Sequence, residues 1–362
     1  MAAFPLNTDK LQMPESNKSD IRDLTLEEIK EFFLSHGDKP FRAKQVWEWI
    51  WKKSARSFEE MSNISVATRK FLSEHFLFQS AHPSASVVSA DKTIKIAFQL
   101  CDKKLVEGVL IPAENRMTAC VSSQVGCAMK CKFCATAKLG FTRNLNHSEM
   151  YDQVAIISKI AQEKHNHPLT NIVFMGMGEP LLNYENLQKT IDRITAADGL
   201  NMSPSRITVS TVGMTKMIKK LGDDEAKFNL ALSLHAANDR KRSEIIPVNE
   251  TNSLDKLAEA LKYYYTKTKN RITFEYLIIS RFNDSLADAR ELAEFCKNVP
   301  CKVNIIEYNA VEGTGFKKAS EISVRAFAGF LETKNLIVNV RKSRGEDIAA
   351  ACGQLAYTLN KS

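Results

Sequence analysis

Leu26, Ile29, Phe32 and Phe33 recur at helical spacing behind Thr25-Leu26-Glu27-Glu28. A hydroxyl at the cap with a carboxylate three residues later predicts a helix start, and Gly37 predicts its end. A second helix follows Pro40, with Val46, Trp47 and Ile50 on one face, and a third covers residues 66–75. Residues 1–20 are polar and aperiodic and predict a loose tail, so residues 21–80 form a small helical domain. The period then drops to two. Ile94, Ile96 and Phe98 alternate, and Val106, Val109, Leu110 and Ile111 form an apolar group. Two strands are predicted over 92–100 and 105–112, turning at Asp102-Lys103, as a hairpin linking segment over 81–112. From residue 113 a strand–helix rhythm sets in. Strands are expected at 117–122, 171–175, 206–211, 228–235, 271–279 and 301–308, with helices such as 149–162, 186–196 and 285–297 between them. A last strand at 336–341 precedes a helix-like C-terminal stretch within 346–362. Six β/α units predict an α/β fold, a parallel sheet curved as a partial TIM-type barrel over 113–345.

Composition changes this picture little. The chain is 44% hydrophobic and 25% charged, as a globular protein is. No apolar run reaches membrane-spanning length, and the first residues lack a signal-peptide core, so a cytoplasmic protein is expected. Eight cysteines in that compartment are expected to be thiols or ligands rather than structural disulfides. The net charge of +8 suits a polyanionic partner such as RNA and equally suits plain solubility. Trp47, Trp49 and Trp51 lie among Arg42, Lys44, Lys52, Lys53 and Arg56. That mixture fits base stacking, though for Trp47 a core role is the simpler reading.

Chemistry concentrates in Cys127, Cys131 and Cys134, a C-x3-C-x2-C triplet. Three close thiolates can converge on one metal centre. Spacing alone leaves a zinc loop, completed by a distant Cys or His, about as acceptable as an iron–sulfur cluster. In barrels of parallel strands, sites gather at the C-terminal strand ends. The triplet follows the first barrel strand. Met175-Gly176-Met177-Gly178-Glu179-Pro180 follows the second, where glycines permit close backbone approach to a ligand and Glu179 can accept from an ammonium or hydroxyl. Ser210 ends the third strand, Ser233-Leu234-His235 the fourth, and Asn309 follows the sixth. Singly each reads as a turn, a cap or a structural histidine. Together on one rim they are better explained as one pocket. Glu107, read from its strand alone, is a surface carboxylate.

With Phe133 and Gly140-Phe141-Thr142-Arg143 beside it, the triplet resembles that of the radical S-adenosylmethionine superfamily. Cys120-Val-Ser-Ser-Gln-Val-Gly-Cys127, Gly176-Met-Gly-Glu-Pro-Leu-Leu-Asn183, Ser233-Leu-His-Ala236 and Ala350-Ala-Cys-Gly-Gln-Leu355 narrow it further. Over about residues 41–355 the chain resembles the RlmN-type dual-specificity RNA methyltransferases, and Phe41-Arg-Ala-Lys-Gln-Val46 looks like the start of their accessory domain.

The resemblance implies a [4Fe–4S] cluster on Cys127, Cys131 and Cys134, with one iron open to S-adenosylmethionine. It implies that Gly178, Glu179, Ser210, Ser233, Leu234, His235 and Asn309 hold S-adenosylmethionine. It implies Glu107 as the active-site base, Cys352 as the methylated cysteine and Cys120 as the one that resolves the intermediate through a transient disulfide. The substrates implied are 23S rRNA and tRNA, methylated at adenine carbon 2. The methyl passes through S-methylated Cys352 and is activated by a 5′-deoxyadenosyl radical. A flavodoxin or ferredoxin would donate electrons, and a monomer is expected. Two rivals remain: the resistance-type paralogue acting at adenine carbon 8, disfavoured by Gly178-Glu-Pro-Leu-Leu-Asn183 and Arg341-Lys-Ser-Arg-Gly-Glu-Asp347, and a non-catalytic zinc-stabilised RNA-binding module.

Overall fold

The computed structural model describes residues 18–356. Residues 1–17 of the expected tail and 357–362 of the C-terminal segment lie outside the described residues. Ser19 and Asp20 are not part of a tail: they form strand β1 (Ser19–Asp20), parallel to β2 (Phe76–Leu77). Between them lie helices α1 (Leu26–Ser35), α2 (Phe41–Trp51) and α3 (Val66–His75). The capping box closes as expected, with Glu28 N–H donating to Thr25 Oγ1 at 3.2 Å and Thr25 N–H to the Glu28 carboxylate at 2.6 Å.

Trp47 and Trp51 are buried. The Arg193 guanidinium lies over both rings, at 4.9 and 5.7 Å, and Trp47 Nε1 donates to Asp198 at 2.7 Å. These two tryptophans therefore dock the helical domain onto the barrel and cannot stack on RNA. Trp49 is half-buried beneath the Lys53 ammonium, 3.8 Å away.

The expected hairpin forms as the second and third strands of the next segment, and one further strand precedes it. Strands β3 (His82–Val88), β4 (Ile94–Gln99) and β5 (Leu105–Ala113) form an antiparallel meander, and β5 pairs antiparallel with β6 (Arg116–Cys120), the first barrel strand. A short ribbon, β7 (Gln124–Gly126) with β8 (Phe141–Asn144), frames helix α4 (Ala135–Lys138). Helix α5 (His147–His165) leads to β9 (Asn171–Phe174), and α6 (Tyr184–Thr195) to β10 (Ile207–Thr211). Helix α7 (Thr215–Asp223) leads to β11 (Asn229–Ser233), and α8 (Asp239–Ile245) with α9 (Leu254–Thr268) to β12 (Ile272–Ile278). Helix α10 (Leu286–Cys296) leads to β13 (Cys301–Glu307), and α11 (Glu321–Glu332) to β14 (Val338–Arg341).

The sheet order is β14-β13-β12-β11-β10-β9-β6-β5-β4-β3, and every pair from β6 to β14 is parallel. This is the partial barrel, carrying an antiparallel wing. Along β10 burial alternates, with Ile207 and Val209 fully buried and Ser210 half-buried on the cavity wall; Leu230, Leu232, Phe274 and Ile305 are likewise fully buried.

The C-terminal stretch is not a helix. A 3-10 turn (Glu346–Ile348) gives way to tight turns, with Gly345, Ala349 and Gly353 all at positive φ. Its backbone groups bond elsewhere: Gly345 N–H to Asp91 at 3.1 Å, Ala135 N–H to Gly353 O at 2.7 Å, and Thr136 Oγ1 to Leu355 O at 2.5 Å. Three alanines favour a helix locally, but these long-range partners offer the backbone a competing set of bonds. Among the described residues no helix is long and apolar enough to cross a membrane.

Candidate active site

One cavity opens at the C-terminal ends of the parallel strands, and its wall includes Cys120, all three triplet cysteines and Cys352. None of the eight cysteines is paired in a disulfide.

The triplet sits on the loop between β7 and α4. Gly126 (φ 75°) lies so close to the Gly140 carbonyl that a Cβ could not fit, and Cys127 N–H donates to that carbonyl at 2.8 Å. Cys134 N–H donates to Cys131 O at 3.2 Å, and Lys132 N–H anchors the loop to Ile245 O at 2.9 Å. Cys127 and Cys131 are buried, and Cys131 packs with Ile245 and Ile246. Burial pushes the Cys127 thiol up to about 11 and raises Cys131 well above the usual range. An apolar cradle of this kind disfavours free thiolates and suits thiolates neutralised by iron. Three cysteines on one loop and one cavity wall are the donor set of a cubane with one iron left open, so the residues fit a cluster.

The turn after β9 is built onto the segment before the triplet. Ser122 Oγ accepts from Met177 N–H at 2.8 Å, Ser123 N–H donates to Met177 O at 2.8 Å, and Gln124 Oε1 accepts from Glu179 N–H at 2.9 Å. Gly178 (φ 103°) has no room for a Cβ, which would lie 2.6 Å from the Gln124 side chain, and one on Gly176 would lie 2.7 Å from the Val121 backbone. The close approach these glycines permit is therefore to the segment leading into the cysteine loop. Ser122, Ser123 and Gln124 were legible only as part of a motif, and their positioning role was missed. Glu179 is 2% exposed and accepts from Leu181 N–H at 3.1 Å and Val212 N–H at 2.9 Å. Burial lifts its carboxyl to about 7. An ammonium brought beside it would restore the carboxylate.

Around the rim, Ser210 and Ser233 meet hydroxyl to hydroxyl at 3.3 Å, and both line the cavity. His235 (φ 57°) accepts at Nδ1 from Leu277 N–H at 2.9 Å, which places its proton on Nε2. Phe133 packs edge-on against its ring, 4.8 Å between centroids. Burial and then Arg242 lower His235 to about 3, so the ring stays neutral. Asn309 donates to Cys352 O at 3.3 Å, while its Oδ1 is buried with no hydrogen-bond partner. Leu234 does not join this rim. Its side chain is in the core, its N–H donates to Glu275 O, and its carbonyl accepts from Ala236 and Arg242.

Cys120 and Cys352 both line the cavity. Cys352 is accessible from the cavity yet enclosed by protein. Burial pushes Cys120 up to about 12, with Cys352 adding to it, and raises Cys352 as well. The Arg341 guanidinium opposes both shifts and pairs with Glu275 at 3.5 Å. Arg341 and Glu275 are site residues that sequence reasoning left without a role. Arg341 opens a basic run, and Glu275 gives no signal, being one acid in an apolar strand.

Glu107 is no surface carboxylate: it is fully buried. It is not on the cavity wall. Lys95 Nζ pairs with Oε1 at 3.3 Å, and Oε2 accepts from Ala356 N–H at 2.9 Å, so it meets the turn that carries Cys352.

Residues 19–77 match the ribosomal RNA large subunit methyltransferase N-terminal domain family, and 121–296 the radical SAM superfamily. A probable dual-specificity RNA methyltransferase RlmN from Cytophaga hutchinsonii is 54% identical over 94% of both chains. A dual-specificity RNA methyltransferase RlmN from Nitratidesulfovibrio vulgaris is 43% identical over 93% of this chain and 94% of its own. The crystal structure of a radical SAM methyltransferase from Sphaerobacter thermophilus superposes with a TM-score of 0.88 at 38% identity, covering 93% of this chain and 99% of that one.

Fold and site together define a radical S-adenosylmethionine methyltransferase, using a [4Fe–4S] cluster and S-adenosylmethionine. The zinc-stabilised, non-catalytic reading falls with that. The chain belongs to the RlmN family of dual-specificity RNA methyltransferases.

Proposed function

We propose that this enzyme methylates carbon 2 of a specific adenine in 23S rRNA and of the adenine beside the anticodon in tRNAs. The observation that carries the reading is the placing of Cys120, Cys352 and the three triplet cysteines on one cavity wall. Cys127, Cys131 and Cys134 would hold the cluster. Gly178, Glu179, Ser210, Ser233, His235 and Asn309 would hold S-adenosylmethionine, with Glu179 for its ammonium and neutral His235 as an Nε2–H donor. Leu234 would contribute only by shaping the core behind them. Together, the two groups supply methyl and one-electron chemistry that a side chain cannot.

The chain's own residues do the rest. Carbon 2 of adenine is electron-poor, so Cys352, a better nucleophile as thiolate, takes the methyl first. Arg341 favours that thiolate. The adenine is flipped into the cavity, at a cost of a few kcal/mol. Once the Cys352-borne methyl has given up a hydrogen atom to the 5′-deoxyadenosyl radical that S-adenosylmethionine would supply, its carbon bonds to carbon 2. Glu107 then takes the carbon 2 proton, and the odd electron of the adduct would return to the cluster. To free Glu107, the Ala356 end of the turn gives way, since its N–H occupies Glu107 Oε2. Cys120 then attacks the Cys352 sulfur. The sulfur–carbon bond breaks, the carbon leaves with the electron pair and gains a proton as a methyl group, and a Cys120–Cys352 disulfide remains for reduction. The enzyme works as a cytoplasmic monomer, with a flavodoxin or ferredoxin as electron donor.

The test is an anaerobic assay on a ribosomal RNA fragment and a tRNA, with product nucleosides weighed and fragmented. Wild type gives 2-methyladenosine. Cys352→Ala gives none while keeping its cluster absorbance, and Cys120→Ala leaves RNA attached to protein on a denaturing gel. 8-Methyladenosine would reassign the enzyme to the carbon 8 reaction, and any methylated product from Cys352→Ala would refute the covalent route.

A further inference from the structure

Lys95 and Glu107 stand on adjacent antiparallel strands. Ala97 pairs with Glu107 and Lys95 with Val109, so Lys95 is a diagonal same-face neighbour of Glu107, within reach of a long side chain. Their side chains are 3% and 0% exposed. An apolar pair would pack this face without the desolvation penalty, so the sheet itself does not need the charges. Each partner also holds backbone of the same turn. Lys95 Nζ donates to Ala349 O at 3.4 Å, and Glu107 Oε2 accepts from Ala356 N–H at 2.9 Å. Ala349 and Ala356 bracket Cys352.

We propose that Lys95 is a positioning residue: it fixes Glu107 as a carboxylate and, with it, clasps both ends of the turn presenting Cys352. This rests on the roles given above to Glu107 and Cys352. Without the ammonium, a buried carboxyl is held best in its neutral form, and the Ala349 end of the turn loses its anchor.

The experiment compares cluster-loaded wild type, Lys95→Met, Lys95→Arg, Glu107→Gln and Lys95→Met/Glu107→Gln. Infrared difference spectra against wild type should show in Lys95→Met a protonated-carboxyl band additional to that of Glu179, and the double variant should lack this additional band. Turnover in Lys95→Met should fall about 100-fold, as loss of a working base would cause. The double variant should lie within about threefold of the worse single variant, because both act in one unit. Lys95→Arg, which keeps the charge, should stay within about tenfold of wild type and show no such band. A Lys95→Met enzyme without the additional band, or losses that multiply in the double variant, would overturn the assignment. Should Lys95→Met not fold, Lys95→Arg decides: the additional band there, or a loss as deep as that of Glu107→Gln, overturns it. Wild-type turnover in Glu107→Gln would instead sink the reading of Glu107 as base, and is seen in a different variant.

Discussion

Two clusters of buried polar groups in this molecule behave in opposite ways. Arg22 lies between Asp20 and Asp152 where the helical domain meets α5, and every carboxylate oxygen there is used. Asp20 accepts from Arg22 N–H and Gln79 N–H, each at 2.9 Å, and Asp152 from Arg22 Nη1 at 2.8 Å and Ala81 N–H at 2.9 Å. The cavity is the reverse. Asn309 Oδ1 has no partner, the Glu179 carboxyl is lifted, His235 is held neutral, and the Cys120 and Cys352 thiols are raised. The first cluster completes its bonds within the chain and staples two parts together. The second leaves capacity that an incoming molecule would fill. Burial of a charge is thus no mark of a working site; unfinished bonding around a space is.

The sharpest way to break this contrast is Arg22→Met. Removing the cation from two buried carboxylates should cost about 3–5 kcal/mol, seen as a lower midpoint in denaturant unfolding. Methylation per folded molecule should stay at the wild-type level. A loss of turnover without a loss of stability would place the staple in the reaction.

Next comes the pH response of Glu179. Its folded value, about 7, lies above the ordinary 4.5. The folded state therefore holds the extra proton between those values, and stability from this group falls as pH rises through that window. The penalty reaches about 3 kcal/mol near neutrality. Unfolding of protein without S-adenosylmethionine from pH 4.5 to 7, wild type against Glu179→Gln, measures it. The variant's curve should be the flatter, and parallel curves would show that Glu179 is not strained by burial.

The smallest effect is expected at Thr25. Thr25→Ala removes one half of the capping box and should cost about 1 kcal/mol, with methylation unchanged. It calibrates the other two, as a surface change belonging to neither cluster.

Local signals were strong where one element decides its own structure. The capping box at Thr25, the stripe of Ile29 and Phe33 and the apolar positions of the parallel strands all placed their elements within a few residues. Strand β3 was not legible. His82-Pro-Ser-Ala-Ser-Val-Val88 has little apolar alternation, and Pro83 suits only a sheet edge, which is where it lies, beside a bulge. The C-terminal alanines pointed to a helix that distant partners forbid. Glu107 was misread as exposed because alternation on β5 does not say that a chain end will cover its other face.

The sequence by itself determined the donor chemistry: a cysteine triplet after one strand, a Gly-Glu turn after the next, two further cysteines far apart in the chain. Those follow from residue type and short spacing, which fold locally. Only the tertiary structure decided which residues share the cavity. Arg341 and Glu275 join the two thiols on the cavity wall, Leu234 withdraws into the core, and Lys95 meets Glu107 under the turn of Cys352. Such meetings depend on how distant strands register and how the last residues fold back, and neither is written in any single stretch of chain.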